Sequence, residues 1–206
     1  MALAAERIAA YAAELDQAER TRKPIGPLTA REPELTPDDA YRIQLAWMDL
    51  RIQRGARVVG KKIGLTSHAM QSMLGVFEPD YGHVLDTMVI APGDPVALDE
   101  LVQPKVEGEI AFILGCDVPT PATALDVLLA TRLVVPALEI VDSRIEGWQI
   151  RLPDTVADNA SSGRVVLAER GLRPDELDLT LVGMVFEKNG EMLSSGAGAA
   201  VLGNPA

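Results

Sequence analysis

The spacing of apolar positions changes along the chain, and the change divides it. Between residues 2 and 20, Leu3, Ile8, Tyr11 and Leu15 fall on roughly one face of a helix, which Pro24, Gly26 and Pro27 then end. A second helix is signalled more fully. Thr36 can cap it, Pro37 suits its first position, Asp38 and Asp39 suit its first turn, and Ile43, Ala46, Trp47 and Leu50 follow at helical spacing. Arg51 and Arg54 lie near its end, with Gly55 as the expected C-cap. From Val58 onward the pattern becomes short β-like runs, VVGKKIGL, HVLDTMVI, EGEIAFIL, RLVVPALEIV, GRVVLAE and LVGMVFEK, separated by Gly, Pro and Asp turns. Asn189-Gly190 predicts a hairpin, since both turn positions need positive φ. One helix is predicted within this region, at Thr123 to Leu129. The chain therefore reads as α+β, with an N-terminal helical segment over residues 1–57 and a mainly β region over 58–206.

A length of 206 residues suits one main core, and 48% hydrophobic with 24% charged residues excludes a disordered chain. The net charge of -11 argues against nucleic acid and against an anionic membrane surface, because phosphate binding requires clustered Lys and Arg. An anionic substrate would need a local cation to draw it in. The single cysteine, Cys116, has no disulfide or zinc-ribbon partner, and no uninterrupted apolar stretch follows a basic start. A cytoplasmic protein without a signal peptide or membrane span is expected.

The chemistry worth following is carboxylate chemistry. In KVEGEIAFIL, residues 105–114, strand alternation puts Glu107, Glu109 and Ala111 on one face and Ile110, Phe112 and Leu114 on the other. Taken alone, such a pair also suits a solvated face of an antiparallel sheet. Glu139 is more telling, because it sits inside LVVPALEIVDSR, and a buried lone carboxylate is costly unless paired or metal-bound. Pairing with Arg144, or an exposed edge position, would also satisfy it. Together the three form an all-oxygen set, with no His or Cys nearby, suited to Mg²⁺ or Mn²⁺ rather than zinc.

Alternation in VVGKKIGLTS sends one of Lys61 and Lys62 along with Val59 and Ile63 and the other with Gly60 and Gly64. An inward lysine, near a metal or in an apolar pocket, is expected to have a lowered pKa suited to proton transfer; a solvated pair starting a strand is the alternative. Glu78-Pro79-Asp80-Tyr81-Gly82 carries turn chemistry. Asp154 and the stretch Asp158-Asn159-Ala160-Ser161-Ser162-Gly163 read as polar loop with Asx-type turns, which can also present hydroxyls and N–H groups to anions. His68 and His83 have no partner at nucleophile spacing and are read as non-catalytic.

The segments VVGKKIGLTS, EPDYGHVLDTM, QPKVEGEIAFIL, VVPALEIVDSRIEGWQI, DTVADNASSG and EKNGEMLSSGAGAAVLGNP, in that order, resemble the 2-keto-4-pentenoate hydratase group of the fumarylacetoacetate hydrolase superfamily. The resemblance covers nearly the whole chain. It implies that Glu107, Glu109 and Glu139 hold Mg²⁺ or Mn²⁺, that Lys62 is the catalytic lysine, that Ser161 contacts substrate, and that Asp80 is an acidic helper near the pocket. The implied reaction, in aromatic-compound catabolism, is addition of water to 2-hydroxypenta-2,4-dienoate to give 4-hydroxy-2-oxopentanoate. The related 4-oxalocrotonate decarboxylases would use the same chelate to lose CO₂, and acylpyruvate hydrolases resemble the chain less. The resemblance further implies a mixed β-sandwich roll, a homo-oligomer, and an aldolase or decarboxylase of the same pathway as partner. Family members continue past Asn204-Pro205, so a C-terminally incomplete fold is expected, with a non-catalytic subunit or remnant as the other class of reading.

Overall fold

The structure, a computed structural model, describes residues 2–206. It begins with α1 (Ala5–Thr21), a short α2 (Leu28–Arg31) and α3 (Pro37–Gln53). The apolar stripe of α1 is buried at Ile8, Tyr11 and Leu15, and left-handed Arg22 closes the helix by donating its N–H to Ala18 O. Thr36 caps α3 as its position suggests, its Oγ1 accepting the Asp39 N–H at 3.1 Å. The buried stripe of α3 includes the polar Gln44 beside Ile43 and Trp47.

The remaining elements are β1 (Val58–Gly64), α4 (His68–Leu74), β2 (Asp80–Leu85), β3 (Val89–Ile90), β4 (Pro104–Leu114), α5 (Ala124–Ala130), β5 (Thr131–Asp142), α6 (Leu152–Ala157), β6 (Ser162–Leu167), β7 (Gly183–Lys188) and β8 (Glu191–Ala197). Strands β1 and β2 pair antiparallel, as do β7 and β8. The central sheet has the order β3-β6-β5-β4, parallel only between β3 and β6. The α+β class is as expected.

Local departures have local causes. HVLDTMVI is not one strand, because a 3₁₀ turn at Asp86–Met88 separates β2 from β3. There the Asp86 carboxylate accepts the N–H groups of Arg57 and Thr87, both at 2.9 Å, and draws the backbone out of the ladder. EPDYG is more than a turn, since Asp80, Tyr81 and Gly82 pair with Gly64, Ile63 and Lys62. Two helices, α4 and α6, interrupt what the pattern reads as β; α4 has a Ser67 cap and a left-handed Gly75 at its end. The helix α5 starts after Thr123, which with Asp126 forms a reciprocal cap.

One apolar cluster runs through both halves of the chain. Ile8, Tyr11, Leu15, Ile43 and Trp47 from the helices meet Leu85, Met88, Ile145, Val156 and Ala157. Burying each of these larger side chains contributes about 1.5–3 kcal/mol. The helices thereby pack against β2 and α6. No helix among the described residues is long and apolar enough to cross a membrane.

Candidate functional site

Register brings the carboxylates together. In the antiparallel β4–β5 ladder Glu107 lies directly opposite Glu139, so both project from one face, and Glu109 follows two positions along on the same side. Oxygen atoms of all three lie within 4.8 Å of one another. Exposure falls from Glu107, which is open to solvent, through half-buried Glu109 to buried Glu139. Burial, with the like charges of Glu139 and Glu107, pushes Glu109 up to about 7. Burial also raises Glu139, against the opposing pull of Lys62. Glu139 Oε1 is buried with no hydrogen-bond partner among the described residues. Three converging carboxylates, one of which also carries an orphaned buried oxygen, repel each other unless a cation stands among them, and an oxygen-only set fits Mg²⁺ or Mn²⁺.

Lys62 enters from β1. It shares its face with Gly60 and Gly64, whereas Lys61 points outward and is exposed. Lys62 Nζ lies 3.4 Å from Glu139 Oε2 and donates to Ala160 O at 2.9 Å. Burial alone would pull its pKa down, but Glu139, Asp80, Glu107 and Glu109 together outweigh burial and hold the ammonium above the usual lysine range. The four carboxylates facing this lysine thus oppose the lowering that burial by itself would bring.

Asp80 begins β2, paired with Gly64, and is buried. Its Oδ2 accepts from Thr155 Oγ1 at 2.6 Å, while Oδ1 has no partner among the described residues. A Cβ on Gly64 would stand 2.3 Å from that Oδ1 and 2.9 Å from Lys62 Nζ. Glycine here is the room in which the aspartate and the lysine face each other.

The DNASSG stretch corrects the loop reading. Asp158, Asn159, Ala160, Ser161 and Ser162 are all buried. Arg144 does not pair with Glu139. Its Nε reaches Asp158 Oδ1 at 2.6 Å, its N–H reaches Oδ2 at 3.0 Å, and its guanidinium lies 4.9 Å over the Trp47 ring. Burial nevertheless outweighs this pairing and pushes Asp158 up to about 6. Ser161 Oγ donates to Asp158 Oδ2 at 3.3 Å, and Ser161 follows Ala160, whose carbonyl accepts from Lys62. Asp154 is also buried and lies elsewhere: it accepts from Thr29 N–H and Oγ1 at 2.9 and 2.7 Å and ties α2 to α6. His83 is held by Gln44 at 2.8 Å, with burial and Lys61 lowering its pKa. His68 is exposed at the start of α4.

Thr155, Gly64 and Asn159 escape a reading of residues one at a time. Their signal, where there is one, is indirect: a glycine two positions from a lysine on one strand face, and an Asp-Asn pair closing a helix that sits in apolar surroundings.

No family model matches the chain. It is 50% identical over 194 residues to a 2-hydroxypent-2,4-dienoate hydratase of Pseudomonas putida, covering 93% of this chain and 87% of that one. It is 52% identical over 192 residues to a 2-keto-4-pentenoate hydratase of Paraburkholderia xenovorans (strain LB400), covering 93% and 71%. Among solved structures it matches 4-oxalocrotonate decarboxylase from Pseudomonas putida G7 complexed with magnesium and adipate, at TM-score 0.93 and 38% identity over 98% of this chain and 78% of that one. The same enzyme complexed with calcium and acetate matches at TM-score 0.92 and 39% identity, covering 98% and 77%. At these identities and coverages, the chain belongs to the 2-keto-4-pentenoate hydratase family.

Proposed function

We propose that this chain is a metal-dependent hydro-lyase that adds water to 2-hydroxypenta-2,4-dienoate, giving 4-hydroxy-2-oxopentanoate. The observation that carries the proposal is the convergence of Glu107, Glu109 and Glu139 on one sheet face, with Lys62 and the unpartnered Asp80 oxygen beside them. Glu107, Glu109 and Glu139 would hold Mg²⁺ or Mn²⁺. When bound, such an ion supplies Lewis-acid stabilisation of negative charge on the substrate's 2-oxygen.

The residues of the chain divide the proton work. Two protons end on carbon, one at C5 and one at C3; the 2-hydroxyl supplies one and the added water the other, the water's hydroxyl going to C4. Lys62 Nζ, 3.4 Å from Glu139 Oε2, delivers the proton to C5 and leaves a 2-oxo-3-enoate, to which water adds at C4. Asp80 Oδ1 takes a proton from that water, a role supported by its lack of a partner among the described residues while Thr155 occupies the other oxygen. Ser161 offers a hydroxyl to the substrate from the turn that also carries Ala160.

The same site would serve decarboxylation of 4-oxalocrotonate, and the likeness to the decarboxylase favours keeping that reaction in the test. The hydratase relatives have the higher identity and therefore decide the order. The superfamily's β-sandwich roll, a homo-oligomer and an aldolase or decarboxylase partner belong to the same reading. Exposed Val185, Met192 and Leu193 on the β7–β8 hairpin support association between copies. Following the ultraviolet absorbance of 2-hydroxypenta-2,4-dienoate with Mg²⁺ or with EDTA, and identifying the product by mass, tests the proposal. Metal-dependent formation of the hydrated acid is expected; CO₂ release from 4-oxalocrotonate without hydration of the dienoate would replace it with the decarboxylase.

A further inference from the structure

Asn159, Ala160 and Ser161 hold left-handed backbone in succession, with φ of 55°, 50° and 51°, in a fully buried stretch. None is glycine, and alanine has no side chain to favour that conformation, so the surroundings must over-determine it. Two sets of bonds do this. Arg144 donates to Ser162 O at 3.0 Å and to Asp158 O, gripping both ends of the turn. The Asn159 side chain bridges to the main chain of β2: its Oδ1 accepts the His83 N–H at 2.7 Å and its Nδ2 donates to His83 O at 2.9 Å. Gly82 allows this approach, because an added Cβ there would stand 2.5 Å from Asn159 O.

The consequence appears at Ala160, whose carbonyl accepts from Lys62 Nζ at 2.9 Å while Glu139 Oε2 lies 3.4 Å away. The Ala160 carbonyl thus fixes one of the ammonium's donor directions while the ion pair with Glu139 holds the charge at the cluster. We infer that Asn159 is a positioning residue for Lys62: by pinning the left-handed turn to β2 it holds the Ala160 carbonyl where it draws the lysine ammonium to the carboxylate cluster. The effect on turnover rests on the hydratase reading, whereas the placement of the lysine is measured without it.

The test compares native protein with Asn159→Gly, which still permits left-handed backbone but removes the bridge. Two quantities are read: hydration kinetics with Mn²⁺, and brief acetylation by an N-hydroxysuccinimide ester, scored by peptide mass spectrometry as Lys62 labelling relative to exposed Lys61. Ile8→Ala, a core truncation on α1, controls for general loosening. Asn159→Gly is expected to raise the labelling ratio roughly fivefold and lower kcat roughly tenfold, with Mn²⁺ affinity by calorimetry within about twofold of native. Ile8→Ala should leave the ratio unchanged. An unchanged ratio in folded Asn159→Gly, or an equal rise in Ile8→Ala, overturns the inference. Should Asn159→Gly not fold, Asn159→Asp, which keeps the shape and the acceptor and loses the donor to His83 O, is read by the same criteria. If native protein leaves the dienoate untouched, the hydratase reading fails and the labelling ratio alone decides the role of Asn159.

Discussion

Replacing Arg144 by Met tests the polar core beneath the site. The guanidinium is fully buried and donates to Asp158 Oδ1 at 2.6 Å and to Ser162 O at 3.0 Å, and it lies over Trp47. Met keeps much of the volume and removes every one of those bonds. Breaking a buried pair from one side costs about 3–5 kcal/mol, because the remaining carboxylate has no counter-charge. For a chain of this size that corresponds to a fall in Tm of roughly 6–20 °C. The pH dependence is sharper than the magnitude. Asp158 sits at about 6 in the native fold, against an ordinary value of 3.8, so the folded state takes up protons more readily and this group's contribution falls as pH rises from 4 to 6. Without Arg144 the folded pKa rises further. Between pH 4 and 6 both proteins lose stability in parallel; above 6 the native protein levels off while Arg144→Met continues to fall. The difference in unfolding free energy, from urea titrations at a series of pH values, should therefore widen above pH 6, and adding Asp158→Asn should recover part of the loss. A gap that is constant with pH, or a double variant no more stable than Arg144→Met alone, would refute this account.

Other perturbations reach the site directly. Glu139→Gln should weaken Mn²⁺ binding by about tenfold or more by calorimetry, since it removes the buried anionic member of the oxygen set; retained affinity would remove Glu139 from the ligands. Gly64→Ala should lower kcat by roughly a hundredfold with little change in Tm, because the new methyl would stand 2.3 Å from Asp80 Oδ1; full activity would mean that Asp80 need not hold that position. Thr36→Ala should cost about 1 kcal/mol in urea unfolding through loss of the α3 cap and leave kcat unchanged.

Features that depend on near neighbours in the chain were legible. The Thr36 cap, the Thr123 start of α5 and the Asn189-Gly190 hairpin, with φ of 54° and 82°, each rest on bonds within a few residues. The shared face of Glu107 and Glu109 follows from period-two geometry alone. Legibility failed where composition misleads. DNASSG is polar and reads as surface loop, yet it is buried, because Arg144 and the β2 main chain satisfy it from segments distant in sequence. Arg144 invited pairing with nearby Glu139, but it turns to Asp158, and Lys62 from another sheet takes the place beside Glu139.

The sequence by itself determined which side chains exist to hold a cation and move a proton, and which of them share a strand face, because side-chain direction alternates residue by residue. Tertiary structure decided that Glu107 meets Glu139, that Lys62 rather than Lys61 turns inward, and that a buried left-handed turn presents Ala160 O to it. The physical reason is that a buried charge is tolerated only where its counter-charges and donors converge. That convergence is a property of strand register and packing, which no local stretch encodes.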